Sequence, residues 1–340
     1  MHKQRGISLI ELMISMLIGL VITGAVTQVF LSSKLTFSMQ GNMSRLQENG
    51  RFALQYLAAQ SRPAGVGMGI RMPQEQICVV ANNGDPAGWA NMNQPVWGKR
   101  STGASGDLGL AGSDEVYLFR NDDCDAFLAD DEVLAPGKNA NVKVTAYCPS
   151  MQQNNVVMIA DMEKAVLIRI TNKPSANASE PTLTHSAATN GETDCSDFKL
   201  KNIEFESPAR VIGFEHKAYY VAATGRTASN GQAVRALFVR NTVTGVAEEI
   251  VDGVESMRAR YGVTGGNRTA VLQYMTATEV EAANRWGDVR TLSFELLLVA
   301  DGRTAGAESQ SLTFDGADVA ADGRLRQVYR TVVALRNRID

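Results

Sequence analysis

The chain is short of the residues that build metal and redox centres. It has three histidines in 340 residues: His2 near the start, and the solitary His185 and His216. No histidine cluster with metal-ligand spacing exists, so no metal site is expected. The four cysteines, Cys78, Cys124, Cys148 and Cys195, form no C-x-x-C pair. A basic excess is missing too, with a formal net charge of −3 and only 6% aromatic residues, which speaks against nucleic acid as a partner. There is no internal repeat. "GASG" at 103–106 is neither G-x-S-x-G nor a phosphate loop, and it reads as a flexible turn. The acidic run "NDDCDAFLADDE" at 121–132 lacks the spacing and glycine of a calcium loop and reads as a solvated loop. Neither catalysis nor a cofactor is expected.

Charge is also lacking at the other end of the chain, where an apolar run is present. From Ile7 to Leu31 only Glu11 is ionisable. The run is long enough to cross a bilayer as a helix and exceeds the apolar core of a cleaved signal, usually about 7–15 residues. His2, Lys3 and Arg5 precede it, so the N-terminus should face the cytosol and everything after Leu31 should be exported. In an oxidising compartment an even number of cysteines favours two disulfides, with three connectivities open. An acidic residue at a helix centre in a membrane costs roughly 2.5–3.5 kcal/mol, less near an interface, and such residues usually find a partner. If the leader is removed after Gly6, Glu11 becomes the fifth residue, and the amine of a neighbouring subunit could neutralise it. The bland alternatives are a plain signal-anchor, or a signal peptide cut after the "TGA" that ends at Ala25.

Beyond the run the apolar positions become periodic. Leu31, Leu35, Met39, Met43, Leu46, Gly50, Ala53 and Leu57 follow spacings of three and four, which predicts one helix from Ile7 to about Gln60 whose second half lies on a folded domain. Pro63 and "AGVGMG" at 64–69 stop it. "EVYLFR" (115–120), "VKVTAYC" (142–148) and "AVLIRIT" (165–171) then read as strands, as do segments 210–223, 235–243, 256–263, 289–300 and 326–339. "TATEVEAANRW" (276–286) reads as a helix with Thr276 and Glu279 at capping-box spacing. Segments 81–115 and 172–194 read as long polar surface loops. The expected class is α+β: a long N-terminal helix packed on an antiparallel sheet domain. On a strand, Arg324, Arg326, Arg330, Arg336 and Arg338 share one face opposite Leu325, Val333 and Leu335, most simply a solvated face.

"KQRGISLIELMISMLIGLV" resembles the N-terminus of type IV prepilins and related pseudopilins. The resemblance implies cleavage by prepilin peptidase between Gly6 and Ile7, methylation of Ile7, and Glu11 as the residue that guides assembly. Family members more often have phenylalanine at the first mature position, and many major pilins have proline where this chain has Gln28. "NGRFALQYLAAQSRPAGVGMG" (49–69), "VDGVESMRARYGV" (251–263), "RWGDVRTLSFELLLVAD" (285–301) and "GRLRQVYRTVVALRNR" (323–338) are similar to segments of PilW-type minor pilins. That family implies a low-copy structural subunit that helps initiate pilus assembly. Its partners would be other minor pilins, the major pilin, prepilin peptidase and the inner-membrane assembly machinery. The implied organisation is a leader at 1–6, a membrane half at 7–31, an amphipathic half at 32–62 and a periplasmic pilin domain at 63–340, ending at the pilus tip. Two alternatives stay open: a type II secretion pseudopilin, and a membrane-anchored binding or enzymatic ectodomain.

Overall fold

The computed structural model describes residues 8–65, 77–79, 95–121, 126–129, 141–186, 205, 208–242, 244–265, 271–304 and 307–336. Helix α1, Leu9–Ser61, is unbroken for 53 residues, about 80 Å at 1.5 Å per residue. It ends where Pro63 predicts: Arg62 donates its N–H to the Ala58 carbonyl at 3.1 Å, and the chain turns away at Gly65, whose φ is +77°. The Gly65 N–H then bonds the Phe119 carbonyl at 2.9 Å, which ties the helix end to the strands.

Seventeen strands follow among the described residues. The first nine are β1 (Ile77–Val79), β2 (Val96–Arg100), β3 (Asp114–Asn121), β4 (Ala126–Phe127), β5 (Asn141–Lys143), β6 (Val156–Ala160), β7 (Ala165–Arg169), β8 (Thr182–Thr184) and β9 (Arg210–Thr227). The remainder are β10 (Ala233–Asn241), β11 (Ala247–Asp252), β12 (Val254–Thr264), β13 (Val271–Met275), β14 (Val289–Val299), β15 (Thr313–Phe314), β16 (Ala317–Asp318) and β17 (Arg326–Ala334). The larger sheet runs β1-β7-β6-β9-β10-β11, with β3 and β4 also on β9 and β2 on β3. The long β9 is its axis, pairing with β6 at Val157↔Gly213 in its first half and with β10 at Phe238↔Tyr220 in its second. The smaller sheet runs β13-β12-β14-β17 and is antiparallel throughout. The expected α+β class holds, with one departure from purely antiparallel pairing: β1 lies parallel to β7.

The main core fills the space between α1, the smaller sheet and the β3, β9 and β10 part of the larger one. Leu57, Tyr219, Tyr261, Phe294 and Trp286 are all buried there. A second cluster around Val142, Met151, Ile159, Ile168, Leu183 and Val211 forms within residues 126–211. Polar and charged contacts around Ser113, Asp114 and Asp315 link the two sheets. Asp114 takes the Arg100 Nε at 2.9 Å and the Ala259 N–H at 2.9 Å, Ser113 Oγ accepts the Met257 N–H at 3.0 Å, and Asp315 receives Arg258 at 2.6 Å and Arg260 at 2.8 Å.

Four expectations are corrected. Segment 81–115 is no continuous loop: 96–100 is β2, β3 begins at Asp114, and 101–109 is a tight turn around carboxylates. Asp107 binds Lys99 at 2.6 Å and the amides of Thr102 at 2.7 Å and Gly103 at 3.1 Å, so "GASG" is held rather than loose. Those bonds hold the Asp107 carboxyl well below the usual range. Segment 172–194 also contains a strand, β8, which pairs with β5 on one edge and is bonded on the other by the Asn172 side chain, at the Thr182 carbonyl (2.8 Å) and the Thr184 N–H (2.9 Å). In "VKVTAYC" only the start is a strand, and after the Leu128↔Val144 bridge the chain turns. The helix expected over 276–286 is α2, Ala277–Ala282, capped as predicted by Thr276 and Glu279 (Thr276 N–H to Glu279 at 2.7 Å). It stops before Asn284, whose φ is +51°, and a single 3-10 turn, Trp286–Asp288, then sets the Trp286 ring edge-on against Tyr261.

Candidate assembly surface

The first half of α1 touches nothing else among the described residues. It is long and apolar enough to cross a membrane, and none of that stretch is buried. Leu9, Met16, Leu20 and Phe30 are each more than 60% exposed, a state that water does not tolerate over such a length. Three of its hydroxyls are satisfied within the helix: Ser15, Thr23 and Thr27 donate to the carbonyls of Glu11, Gly19 and Thr23 at 2.7, 2.8 and 2.8 Å. That arrangement suits a medium with no water to bond them.

Glu11 stands in the first turn of this rod. Its Oε2 accepts the Ser8 N–H at 2.9 Å, one of the four orphan donors of a helix start. The charge therefore sits at the positive end of the helix dipole. Oε1 has no partner among the described residues. Ser8 as the cap was not anticipated, although S-x-x-E at 8–11 is the spacing that signals it. Gly6 and Ile7 lie outside the described residues.

The domain buries α1 only from Leu46 onward, a correction to the stripe expected from Leu31. Leu46, Gly50, Ala53, Leu57, Ala58 and Ser61 are buried, whereas Leu35 and Met39 remain about half exposed. The reason is geometric. The first contact is Asn42 to Thr304 at 3.1 Å, and Asn49 to Asp252 at 3.0 Å follows, so the strands do not reach further along the rod. At Gly50 the helix comes so close to β17 that the Tyr329 ring occupies the place of a side chain.

The arginine face of the C-terminal strand is largely neutralised from within. Arg326 is 7% exposed, and it binds Glu255 at 2.6 Å and Asp322 at 2.6 Å; Arg324 binds the same two carboxylates at 3.1 and 2.7 Å. Arg330 pairs with Glu295 at 2.6 Å. It is a structural cluster rather than an anion-binding strip. Arg338 lies outside the described residues.

His216 is a core residue, as a strand position implied. It is 1% exposed on β9 between Tyr117 and Phe119, with Nδ1 against the Thr242 hydroxyl. Burial pushes its pKa down to about 4. Because the folded protein resists the proton that the unfolded chain accepts below about 6.5, stability should fall as pH drops from about 6.5 towards 4, by roughly 3 kcal/mol at 1.4 kcal/mol per unit. Urea unfolding at a series of pH values should show this slope. His216→Gln should flatten it, apart from a smaller share from His185, which burial shifts in the same direction.

Cys148 is buried and disulfide-bonded, and no cysteine among the described residues is free. Cys78 lies on β1, but its side chain is outside the described residues, as are Cys124 and Cys195, so the connectivity stays open. Among the described residues no group of three or more histidine, cysteine or acidic side chains could hold a metal ion. Most of the acidic run at 121–132 lies outside them.

Two family profiles match the chain. The profile for Type IV Pilus-assembly protein W matches residues 218–337, from the second half of β9 through β17, and the Prokaryotic N-terminal methylation motif matches residues 1–27. No curated protein and no solved structure matches the chain. The matched ends coincide with the free apolar rod and with the sheet that grips it, and on that combination the chain is similar to the PilW family and reads as a type IV pilin-like protein of pilus assembly.

Proposed function

We propose that the chain is a minor pilin, processed by prepilin peptidase between Gly6 and Ile7 and methylated at Ile7, that takes part in initiating type IV pilus assembly. Residues 7–31 form the membrane half of the helix, 32–62 the amphipathic half, and 63–340 a periplasmic domain that ends at the pilus tip. Its role is structural: it offers its helix to neighbouring minor and major pilins. The two pairs that Cys78, Cys124, Cys148 and Cys195 can form would brace that domain.

The observation that carries this reading is Glu11, the single charge in an exposed apolar rod, with one oxygen held by Ser8 and the other free. In the membrane that second oxygen is the acceptor for the terminal amine of a neighbour. The first carboxylate oxygen is already bonded by the helix's own start, so insertion of the lone subunit is less costly, while a cationic partner still lowers its energy.

Mass spectrometry of the mature protein from native membranes should find N-methylated Ile7 as its first residue. Glu11→Ala should keep that mature size yet co-purify with other pilins at least about tenfold less, the consequence of losing roughly 1.4 kcal/mol or more. Glu11→Gln can still accept the Ser8 bond and should fail equally, because charge is what is missing. Normal co-purification of both variants would remove Glu11 from assembly.

A further inference from the structure

Among the described residues the outer edge of β17 is open. Its odd-numbered residues turn their backbone groups towards β14, in a regular register from Thr291↔Ala334 to Val299↔Arg326. The same alternation continues past both ends, where the Leu335 N–H meets the Arg290 carbonyl at 2.9 Å and the Ala300 N–H meets the Leu325 carbonyl at 2.9 Å. The even-numbered residues therefore face away from β14. At one end of that edge the Gln310 side chain bonds both the N–H and the carbonyl of Arg326, at 3.0 and 2.6 Å, as a neighbouring strand would. At the other end the Arg336 N–H reaches the Arg62 carbonyl at 3.2 Å. Between them, the outward amides and carbonyls of Val328, Arg330, Val332 and Ala334 have no partner among the described residues.

Monomeric proteins blunt such edges with lysine, proline, a bulge or a very short strand. β17 has nine residues, "RQVYRTVVA", with no lysine, no proline and no break in register. Val332 is 58% exposed beside Arg330, whose charge Glu295 already answers. We propose that this edge receives an extended backbone segment of a different pilin subunit by strand addition, over about 20 Å at 3.3 Å per residue. The inference rests on the pilin reading above. β17 is the strand on which α1 lies, so a subunit whose helix runs beside α1 carries its own domain to this side. A second copy of the chain does not fit. α1 runs along β17, with Gly50 at Tyr329 and Arg62 at Arg336. Two β17 strands paired antiparallel would point their helices in opposite directions, which one membrane cannot accept. Paired parallel, the twofold that relates them runs along the strand and sets the two helices on opposite faces of the joined sheet, where they cannot pack at the roughly 8–10 Å of neighbouring helices.

Val332→Pro tests the edge, because it removes an outward N–H and leaves the β14 ladder intact. In cells carrying the full chain, a photo-reactive phenylalanine in place of Ala334 should cross-link to another pilin subunit. Val332→Pro should abolish that cross-link and lower co-purification at least about tenfold, with mature size and melting unchanged. If the proline lowers melting, Val332→Lys takes its place with the same expected result. Cross-linking to a second copy or to no protein, or undiminished co-purification of the edge variant, overturns the inference. If Glu11→Ala fails while the edge variant behaves normally, only the edge inference falls; if both behave normally, the pilin reading falls with it.

Discussion

Glu115→Ala is expected to destabilise the domain by about 3–5 kcal/mol, the range for removing one partner of a buried charged network. Glu115 is fully buried at the start of β3. One of its oxygens accepts the amides of Leu108 and Gly109, both at 2.8 Å, and the other accepts the Tyr117 hydroxyl at 2.6 Å, with Lys99 at 3.8 Å. Burial and the adjacent carboxylate push the Tyr117 phenol up, so it stays a donor. Alanine orphans all three donors at once, and buried donors left unpaired cost about 1–3 kcal/mol each. The turn at 101–109 should open with them, exposing the stacked Trp97 and Tyr117 rings, whose centroids are 3.8 Å apart. Denaturant unfolding of the detergent-solubilised full chain would measure the loss, and tryptophan fluorescence would locate it. Glu115→Gln keeps an acceptor for the two amides and should lose about half as much. Equal losses in the two variants would show that charge, not the missing acceptors, dominates.

The second large effect is expected at Gly50. A Cβ there would lie 2.6 Å or less from the Tyr329 ring, so Gly50→Leu cannot be absorbed without moving either α1 or β17. Overpacking typically costs about 1–3 kcal/mol, partly offset by the roughly 1 kcal/mol that leucine gains over glycine in a helix. The larger consequence is geometric. Leu46, Ala53 and Leu57 are buried by the same close approach, so the docked end of α1 should lift and become open to proteolysis. Tyr329→Ala in the same chain should restore part of the docking, since it vacates the space. A double-mutant cycle with no coupling would show that the ring is not what fixes the helix.

The long helix and its end were legible because they rest on local rules: an uncharged run, a spacing of three and four, and Pro63. The cap of α2 was legible at Thr276 and Glu279 for the same reason. The longer strands followed from alternation, and β9, β10, β12 and β14 came out within a few residues of their sequence reading, whereas β11 and β13 were not anticipated. Two of the missed features share a cause. The turn at 101–109 is held by Asp107 and Glu115 and one edge of β8 by Asn172, and polar residues in a Gly- and Asn-rich stretch look the same whether they hold a structure or face water.

By itself the sequence determined an α+β chain whose N-terminal helix is too apolar for water, with a lone carboxylate near its start. Charge, length and periodicity act along the chain and can be read there. Only the tertiary structure decided how much of α1 is held, which arginines are neutralised and which strand edge stays open. Those outcomes depend on pairs far apart in sequence, such as Gly50 with Tyr329 and Arg326 with Glu255, and on the order of strands within a sheet.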